Sequence, residues 1–457
     1  MNTPKDSITF VPRQQRGSEL HNIPVLIVVG SIDALAPRPE ERVISFDRSV
    51  FIGRREKTDS GEGEALWLVR DRMISGQHAS ITRAGSGFEL TDLGSTNGTI
   101  VDGVIAQPKA AVRDGALIFV GGHVVVFRLV SPSELTAIAA EQARPLGPVP
   151  TASPAFAAIC GKLRKLAESD SEVLLTGETG AGKEVYARAM HEASGRAGRF
   201  VAVNCAAIPR ELVESELFGY VRGAHSQALS SKAGIIEDAE GGTLFLDEIG
   251  DMAPELQTKL LRFTQDRLLI PVGGTRSRRI DTRILAATSR TAPPTQSGGS
   301  GLRADLAARL GAEAIRIPPL RERIEDIGGL VAFLLEDHAR RFELAAFQAL
   351  CLYAWPGNIR ELGKVVASAE ALSRGVDRIA AEHLPTAIAS TPRRMRASPS
   401  GRASRPPPTA LELEELMRRF NGNMLRVARE LERKPALVYR WAKRFKLTAD
   451  DYRKKDE

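Results

Sequence analysis

One short segment restricts the fold of this chain more than any other part of it. An apolar run, residues 173–175, is followed by the glycine-rich residues 177–183, which fit the spacing G-x-x-x-x-G-K. Glycines let successive backbone N–H groups turn toward phosphate oxygens, the lysine adds a cation, and the next helix adds its N-terminal dipole. The alternative is a glycine-rich turn that ends in lysine by chance. The preceding strand favours a nucleotide site, with a helix beginning at Glu184.

Two stretches together predict ATP hydrolysis with Mg²⁺. Glu184 stands where Ser or Thr ordinarily helps to hold the metal, so another acid must supply the main ligand. Downstream, an apolar strand ends in Asp247 and Glu248. A carboxylate at that point can bind Mg²⁺ through Asp247, while Glu248 orients or deprotonates the attacking water. The predicted nucleotide-binding residues are Gly177, Glu178, Thr179, Gly180, Ala181, Gly182, Lys183 and Glu184.

Length and charge bear on domain number and partners. A chain of 457 residues is too long for one hydrophobic core and predicts two or three domains. Lys plus Arg exceed Asp plus Glu by 7 overall (63 against 56), whereas residues 391–457 alone hold 18 against 9, an excess of 9. The basic character is C-terminal and indicates nucleic acid as a partner, with a solubilising tail as the alternative.

Cysteine usage and hydropathy predict where the protein resides. Cys160, Cys205 and Cys351 lack metal-ligand spacing, which predicts reduced, buried thiols and no zinc site. The longest early apolar run, residues 23–29, is too short to span a bilayer and lacks the layout of a secretory signal. We expect a cytoplasmic protein with no membrane partner.

Residues 22–131 consist of short apolar or alternating runs separated by Gly, Asp, Ser and Pro, which predicts an all-β sandwich. Three spaced motifs stand in this region, namely Gly53-Arg54, Ser75-Gly-Gln-His78 and Asn97-Gly98. In order and spacing they resemble the signature of a forkhead-associated (FHA) domain.

The resemblance assigns roles in phosphopeptide binding. It implies that Arg54 and Ser75 bind the phosphate of a phosphothreonine on a partner protein or kinase. Asn97 would hold the peptide backbone, with help from Thr96, and His78 would tie the binding loops together. The alternative is a domain that keeps this fold and binds no phosphopeptide.

After a Pro/Ala-rich linker, residues 146–390 alternate strands with helices, which indicates an α/β layer architecture. Five sequences occur there in order: VNCAAIPRELVESELFGY, GGTLFLDEIGDM, LRADLAARL, PPLRERIEDI and WPGNIREL. They resemble the AAA+ domain of bacterial enhancer-binding proteins, the ATPases that remodel RNA polymerase carrying sigma-54. The resemblance implies a helical lid over the nucleotide and a homo-oligomeric ring, usually a hexamer.

The same resemblance assigns further site residues. It makes Arg303 and Arg309 arginine fingers that enter a neighbouring subunit's site. Arg360 corresponds to the sensor II arginine, which contacts nucleotide in its own subunit. Asn204 corresponds to the asparagine that toggles the catalytic Glu248.

The chain departs from the family pattern at two places. Ser289 stands where the family has the sensor I asparagine, which predicts weaker nucleotide sensing. The family's sigma-54-binding loop has the sequence GAFTGA, whereas this chain has GAHSQA, so an aromatic contact and a small hinge are lost and a hydroxyl remains. The predicted loop residues are Gly223, Ala224, His225, Ser226, Gln227 and Ala228.

Residues 406–450 predict a small all-α domain with a helix, a short turn and a second helix. They resemble the Fis-type helix-turn-helix that ends enhancer-binding proteins, which implies binding to an upstream activating DNA sequence. The alternative is a helical hairpin used for dimerisation. The residues predicted to meet DNA are Tyr439, Arg440, Lys443 and Arg444.

The sequence thus predicts a sigma-54-dependent transcription regulator in which phosphothreonine recognition controls a DNA-bound ATPase that remodels RNA polymerase holoenzyme. The alternative is a DNA-bound AAA+ regulator whose altered loop does not activate sigma-54.

Overall fold

The computed structural model describes residues 22–54, 64–67, 71–224, 228–289, 301–311, 314–391 and 408–420, together with single residues between 424 and 452. The chain divides into two compact units, Met1–Ala397 and Ser398–Glu457. The first unit contains a β-sandwich, an α/β domain and a helical lid.

The sandwich consists of two sheets. One has the strand order β2-β1-β11-β10-β7-β8 and the other β4-β3-β5-β6-β9. The elements are β1 Ile23–Ser31, α1 Pro39–Arg42, β2 Val43–Ser45, β3 Ser49–Gly53, β4 Glu64–Trp67, β5 Ala79–Ala84, β6 Gly87–Asp92, β7 Thr99–Val101, β8 Val104–Ile105, β9 Lys109–Val112, β10 Leu117–Val120 and β11 His123–Val130. Three aromatic rings, those of Phe46, Phe88 and Phe127, pack together between the sheets. The predicted all-β sandwich is therefore confirmed.

The α/β domain is built on a parallel sheet with the strand order β13-β14-β17-β12-β18. Apolar clusters cover both faces of this sheet, which explains why its strands are nearly continuous apolar runs. The elements are α2 Pro132–Ala143, α3 Pro154–Glu168, β12 Val173–Thr176, α4 Lys183–Ser194, β13 Phe200–Asn204, α5 Arg210–Phe218, α6 Ile235–Asp238, β14 Thr243–Asp247, α7 Pro254–Asp266, β15 Leu268–Leu269, β16 Arg278–Arg279, β17 Arg283–Thr288, α8 Ala304–Leu310 and β18 Ile315–Arg316.

The lid follows this domain. It comprises α9 Ile327–Leu334, β19 Arg341–Phe342, α10 Leu344–Leu352, α11 Asn358–Leu372, β20 Arg378–Ile379 and α12 Thr386–Ala389. Within the described ranges, four 3-10 turns accompany the two domains, at Ile249–Asp251, Leu320–Glu322, Ile324–Asp326 and Ala381–His383. Trp355 is buried in the lid core, where its Nε1 donates to the Leu350 carbonyl.

The lid and the sandwich share one hydrophobic core, which the sequence analysis did not predict. Five side chains of the six-stranded sheet belong to the same buried cluster as α9, α10 and α11. The Pro/Ala-rich segment expected to be a linker, residues 143–154, begins at the last residue of α2, and Thr151 and Ala152 within it are buried. The sandwich is thus packed on the lid, although the chain connects it to the α/β domain.

The three cysteines are free and buried, as predicted. Burial raises the pKa of the Cys205 thiol to about 12, so this thiol is unreactive near neutral pH.

In the second unit, α13 spans Ala410–Arg419 and begins with a capping box between Thr409 and Glu412. A small core there contains Leu413, Met417, Met424, Val427, Val438 and Ala442. This agrees with the predicted small all-α domain.

Candidate active site

The carboxyl edge of the parallel sheet brings together three of the predicted catalytic residues, Lys183, Asp247 and Glu248. The phosphate loop follows β12, Asp247 ends β14, and Ser289 follows β17. These three strands are neighbours in the sheet, in the order β14-β17-β12. Ligand sites in such α/β sheets lie outside the carboxyl ends of the strands, and this edge faces a cavity of about 270 Å³.

The phosphate loop has the backbone that its glycines predict. Gly180 has a φ of 78°, and a Cβ there would lie 2.5 Å from the Gly357 carbonyl oxygen of the lid. Gly182, with a φ of 100°, caps α4, which begins at Lys183, one residue before the predicted start. The loop can therefore lie directly against the lid, and its helix N-terminus faces the cavity.

Lys183 is buried and bonded within the loop. Its Nζ donates to the carbonyl oxygens of Gly177 at 2.9 Å and Glu178 at 3.4 Å, and lies 3.6 Å from Glu248 Oε1. These partners hold the ammonium group at the floor of the cavity that Asp247 also lines. A phosphate entering this cavity would meet a cation that is already positioned.

The two acids have different surroundings. Burial raises the pKa of Asp247, and Glu248 adds to this effect, whereas Lys183 opposes it. Glu248 has a φ of 51°, and its Oε2 accepts hydrogen bonds from Ser289 N at 2.9 Å and Ser289 Oγ at 2.8 Å. The serine at the sensor I position thus fixes the side chain predicted to act on water.

Asp247 fits a Mg²⁺ ligand because it is a hard oxygen donor on the cavity wall, and a divalent cation would favour its charged form. Among the described residues, no group of three or more His, Cys, Asp or Glu side chains could hold a metal ion. Nucleotide phosphates and water would have to supply the other ligands. Glu184 also lines the cavity, and its carboxylate is paired with Arg188 at 3.3 Å.

Asn204 lies beside these acids at the end of β13, in register with Asp247. Its Oδ1 accepts from Ala206 N at 3.0 Å, and the residue is exposed. Its predicted role as the partner of Glu248 stays a prediction, because the structure pairs Glu248 with Ser289 and Lys183.

The lid closes one side of the cavity. Arg360, on α11, lines it together with the apolar side chains of Leu330, Phe333 and Ile359. An apolar wall beside a cation is suited to a nucleotide, whose base is apolar on its faces and whose phosphates are charged. The predicted sensor II arginine is therefore placed at the cavity.

Three lid residues that the sequence analysis did not single out fasten the phosphate loop. Asn358, fully buried, donates to Glu178 Oε2 and to the Thr179 carbonyl, each at 3.1 Å. Arg321 pairs with the Glu178 carboxylate, and these bonds lower the pKa of Glu178 to about 2. Arg323 donates to the Ala181 carbonyl at 2.6 Å. Their positions in the sequence could have indicated this role, since all three belong to the family motifs PPLRERIEDI and WPGNIREL.

Arg303 and Arg309 do not line this cavity. Arg303 directly precedes α8 and pairs with Asp305, and Arg309 donates to the Thr264 carbonyl at 2.9 Å. Both side chains are at least 40% exposed, so they are accessible to another molecule.

A second site lies at one end of the sandwich. Arg54 N donates to the Ser75 carbonyl, and Thr96 N donates to Ser75 Oγ at 3.2 Å. Asn97 Nδ2 donates to the Met73 carbonyl at 2.7 Å. His78 is fully buried beneath these loops, accepting from Ser75 N through Nδ1. The four predicted phosphopeptide residues are thus close together, and the structural role of His78 is confirmed.

Two predicted surfaces are described only in part. Gly223 N donates to the Ala228 carbonyl at 2.9 Å, which closes the base of the GAHSQA loop, and Leu229 beside it is 84% exposed. His225, Ser226 and Gln227 lie outside the described residues, as do the four predicted DNA contacts, Tyr439, Arg440, Lys443 and Arg444. Every helix in the described ranges is too short or too polar to cross a bilayer.

Comparison with known families matches each part of the first unit. The sigma-54 interaction domain matches residues 149–316, the AAA+ ATPase lid domain residues 321–400, and the FHA domain residues 50–121. The cavity, its acids and these matches define a AAA+ ATPase joined to an FHA domain.

Individual transcriptional regulators and a solved structure are also similar to this chain. The transcriptional regulatory protein GlrR of Escherichia coli K12 is 38% identical over 314 residues, which is 66% of this chain and 69% of GlrR. The transcriptional regulatory protein ZraR of Klebsiella oxytoca is 42% identical over 290 residues, 61% of this chain and 65% of ZraR. The crystal structure of NtrX from Brucella abortus in complex with ADP is 31% identical, covers 65% of this chain and 69% of NtrX, and gives a TM-score of 0.47. The chain belongs to the family of transcriptional regulators that have a sigma-54 interaction domain.

Proposed function

We propose that this ATPase uses hydrolysis to remodel the RNA polymerase holoenzyme that contains sigma-54. One observation supports the proposal best: Lys183, Asp247 and Glu248 line the same cavity, which the lid closes on one side. The three residues belong to a sigma-54 interaction domain. Lys183 would exchange its bonds to loop carbonyls for the nucleotide's phosphates. Glu248, held by Ser289, would orient and deprotonate the attacking water. Mg²⁺, held by Asp247, would neutralise developing phosphate charge.

The catalytic unit in this proposal is a homo-hexameric ring. Arg303 and Arg309 are exposed and lie away from the cavity of their own chain. In a ring they would reach the neighbour's nucleotide and stabilise transition-state charge, while Arg360 contacts nucleotide in its own subunit. Assembly would then be required for hydrolysis.

Phosphothreonine on a partner protein or kinase is the proposed input. Arg54 and Ser75 would bind the phosphate through charge-assisted hydrogen bonds, and Asn97 and Thr96 would hold the peptide. The proximity of these residues supports this role.

The proposed location is the cytoplasm, and the proposed anchor is an upstream activating DNA sequence. The excess of basic residues after residue 390 supports contact with phosphates. Tyr439, Arg440, Lys443 and Arg444 would make it, which predicts binding that weakens steeply with added salt.

A second candidate function follows from the loop sequence GAHSQA. Without the aromatic side chain and the small hinge, the ring would hydrolyse ATP on DNA and act on a target other than sigma-54.

One experiment separates the two functions. Open-complex formation by sigma-54 RNA polymerase is measured on supercoiled DNA, with ATP, phosphothreonine peptide and either the parent protein or Lys183→Ala. The activator function predicts open complexes that are absent with Lys183→Ala. Intact ATPase activity without open complexes would reject it and favour the second candidate.

A further inference from the structure

The FHA domain and the lid form one buried junction. The sheet contributes Val29, Leu117, Phe119, Val124 and Val126, each at most 4% exposed, and the lid contributes side chains of α9, α10 and α11. The backbones approach closely, since a Cβ on Gly328 would lie 2.1 Å from the Val29 carbonyl oxygen. Such an interface resembles the interior of a domain, with no room for solvent.

An arginine of the FHA domain lies at the polar edge of this junction. Arg42, the last residue of α1, is 3% exposed. It donates to the Pro150 carbonyl at 2.8 Å, to Gln142 Oε1 at 3.2 Å and to the Glu325 carbonyl at 3.2 Å. Its guanidinium lies 3.6 Å from Asp326 Oδ1. A charge buried this deeply is stable only where partners surround it.

Asp326 connects this arginine to the nucleotide cavity. Its Oδ2 accepts from Thr151 Oγ1 at 2.7 Å, and its Oδ1 accepts from Ala152 N at 2.9 Å. Asp326 lines the cavity and directly precedes α9, whose Leu330 and Phe333 line it as well. The aspartate therefore holds two pieces of cavity wall at once, the chain before α3 and the start of α9.

We propose that Arg42 is a positioning residue for nucleotide binding, supplied to the ATPase by its FHA domain. By neutralising and orienting Asp326, it holds the segment before α3 and the start of α9 at the spacing that a nucleotide requires. The FHA domain is then a permanent component of the nucleotide site, whether or not a phosphopeptide is bound.

The test uses the full chain and three variants, Arg42→Met, Arg42→Lys and the control Arg38→Met. Arg38 is exposed and lies one residue before α1. Calorimetric titration with ADP gives the Kd, and steady-state kinetics give kcat and KM for ATP. Arg42→Met is expected to weaken ADP binding about tenfold, the effect of losing a hydrogen-bonded charge partner, with the change in KM exceeding that in kcat.

Rescue distinguishes positioning from general damage. Arg42→Lys restores a cation beside Asp326 and is expected to recover part of the affinity, while Arg38→Met matches the parent. Parent-like ADP affinity in Arg42→Met, or an equal loss in Arg38→Met, would overturn the proposal.

A second variant keeps the proposal testable if Arg42→Met fails to fold. Thr151→Val removes one hydroxyl bond to Asp326 and keeps the side-chain shape. It is expected to weaken ADP binding severalfold, and unchanged affinity in a folded Thr151→Val protein would contradict the role of this network.

Discussion

Replacing Arg128 by methionine should destabilise the junction between the FHA domain and the lid in a pH-dependent way. Arg128, on β11, donates from Nε to Glu325 Oε1, and the Glu325 side chain is fully buried. Removing one partner of a buried ion pair leaves an uncompensated charge and typically costs about 3–5 kcal/mol. Arg113→Met is the matched control, because Arg113 is exposed at the turn before β10.

The sign of the pH effect follows from Glu325. Burial raises its pKa, and Arg128 opposes that shift. In Arg128→Met the folded state would hold a proton that the unfolded chain releases, so the free energy of unfolding falls as pH rises above the ordinary pKa of glutamate. The loss of unfolding free energy relative to the parent protein should therefore be larger at about pH 8 than at about pH 5, both of which lie above the ordinary pKa of glutamate. Arg128→Met with Glu325→Gln should recover stability, because the glutamine at position 325 carries no charge that needs a partner.

The buried Trp355 supplies the assay. With Trp67 and Trp441 replaced by phenylalanine, fluorescence during urea unfolding reports on the lid core. The midpoint at each pH is compared among the four proteins, since a single free energy is not defined for a multidomain chain. Equal midpoints for Arg128→Met and Arg113→Met, or a deficit that grows as pH falls, would refute the reasoning.

Further predictions concern the lid, the acid proposed to activate water and the proposed metal ligand. Gly328→Ala should lower the thermal midpoint, because overpacking typically costs about 1–3 kcal/mol. The control Gly363→Ala should match or raise the midpoint, because its Cβ would meet only ordinary contacts and alanine favours a helix more than glycine does. Similar calorimetric midpoints for the two variants would contradict this prediction. Ser289→Ala should lower kcat about tenfold at constant KM, because the Glu248 carboxylate loses the hydrogen bond from the serine hydroxyl. An unchanged kcat in an ATPase assay would mean that the backbone N–H of residue 289 alone orients Glu248. Asp247→Asn should abolish the Mg²⁺ dependence of nucleotide affinity in titrations with and without Mg²⁺, and a retained dependence would place the metal on other ligands.

The sequence was informative wherever a motif restricts the backbone. Glycine spacing predicted the phosphate loop because glycines at that spacing let successive N–H groups turn inward, and an apolar strand ending in acids predicted the position of Asp247. The binding of Glu248 by Ser289 was not predicted, since it depends on the adjacency of β14 and β17, which are far apart in the chain. The DNA-contact prediction concerns residues outside the described ranges.

The shared core of sandwich and lid was missed, although the sequence contains a signal for it. In a sandwich with one solvated face, strands alternate between apolar and polar residues. β10 reads LIFV with every residue buried, and the middle of β11 is apolar without alternation. Continuous apolar runs in antiparallel strands indicate that both faces are covered, and here the second cover is the lid.

Gly328 limits how such a chain can be rearranged by recombination or protein engineering. Its lack of a side chain lets α9 lie against the backbone of β1, so a foreign input domain would need a matching strand face there. A chimaera made by cutting within residues 132–146 would leave apolar lid surface open to solvent, and that surface would promote aggregation. Chains of this architecture should therefore inherit their FHA domain and lid together, as a single evolutionary module.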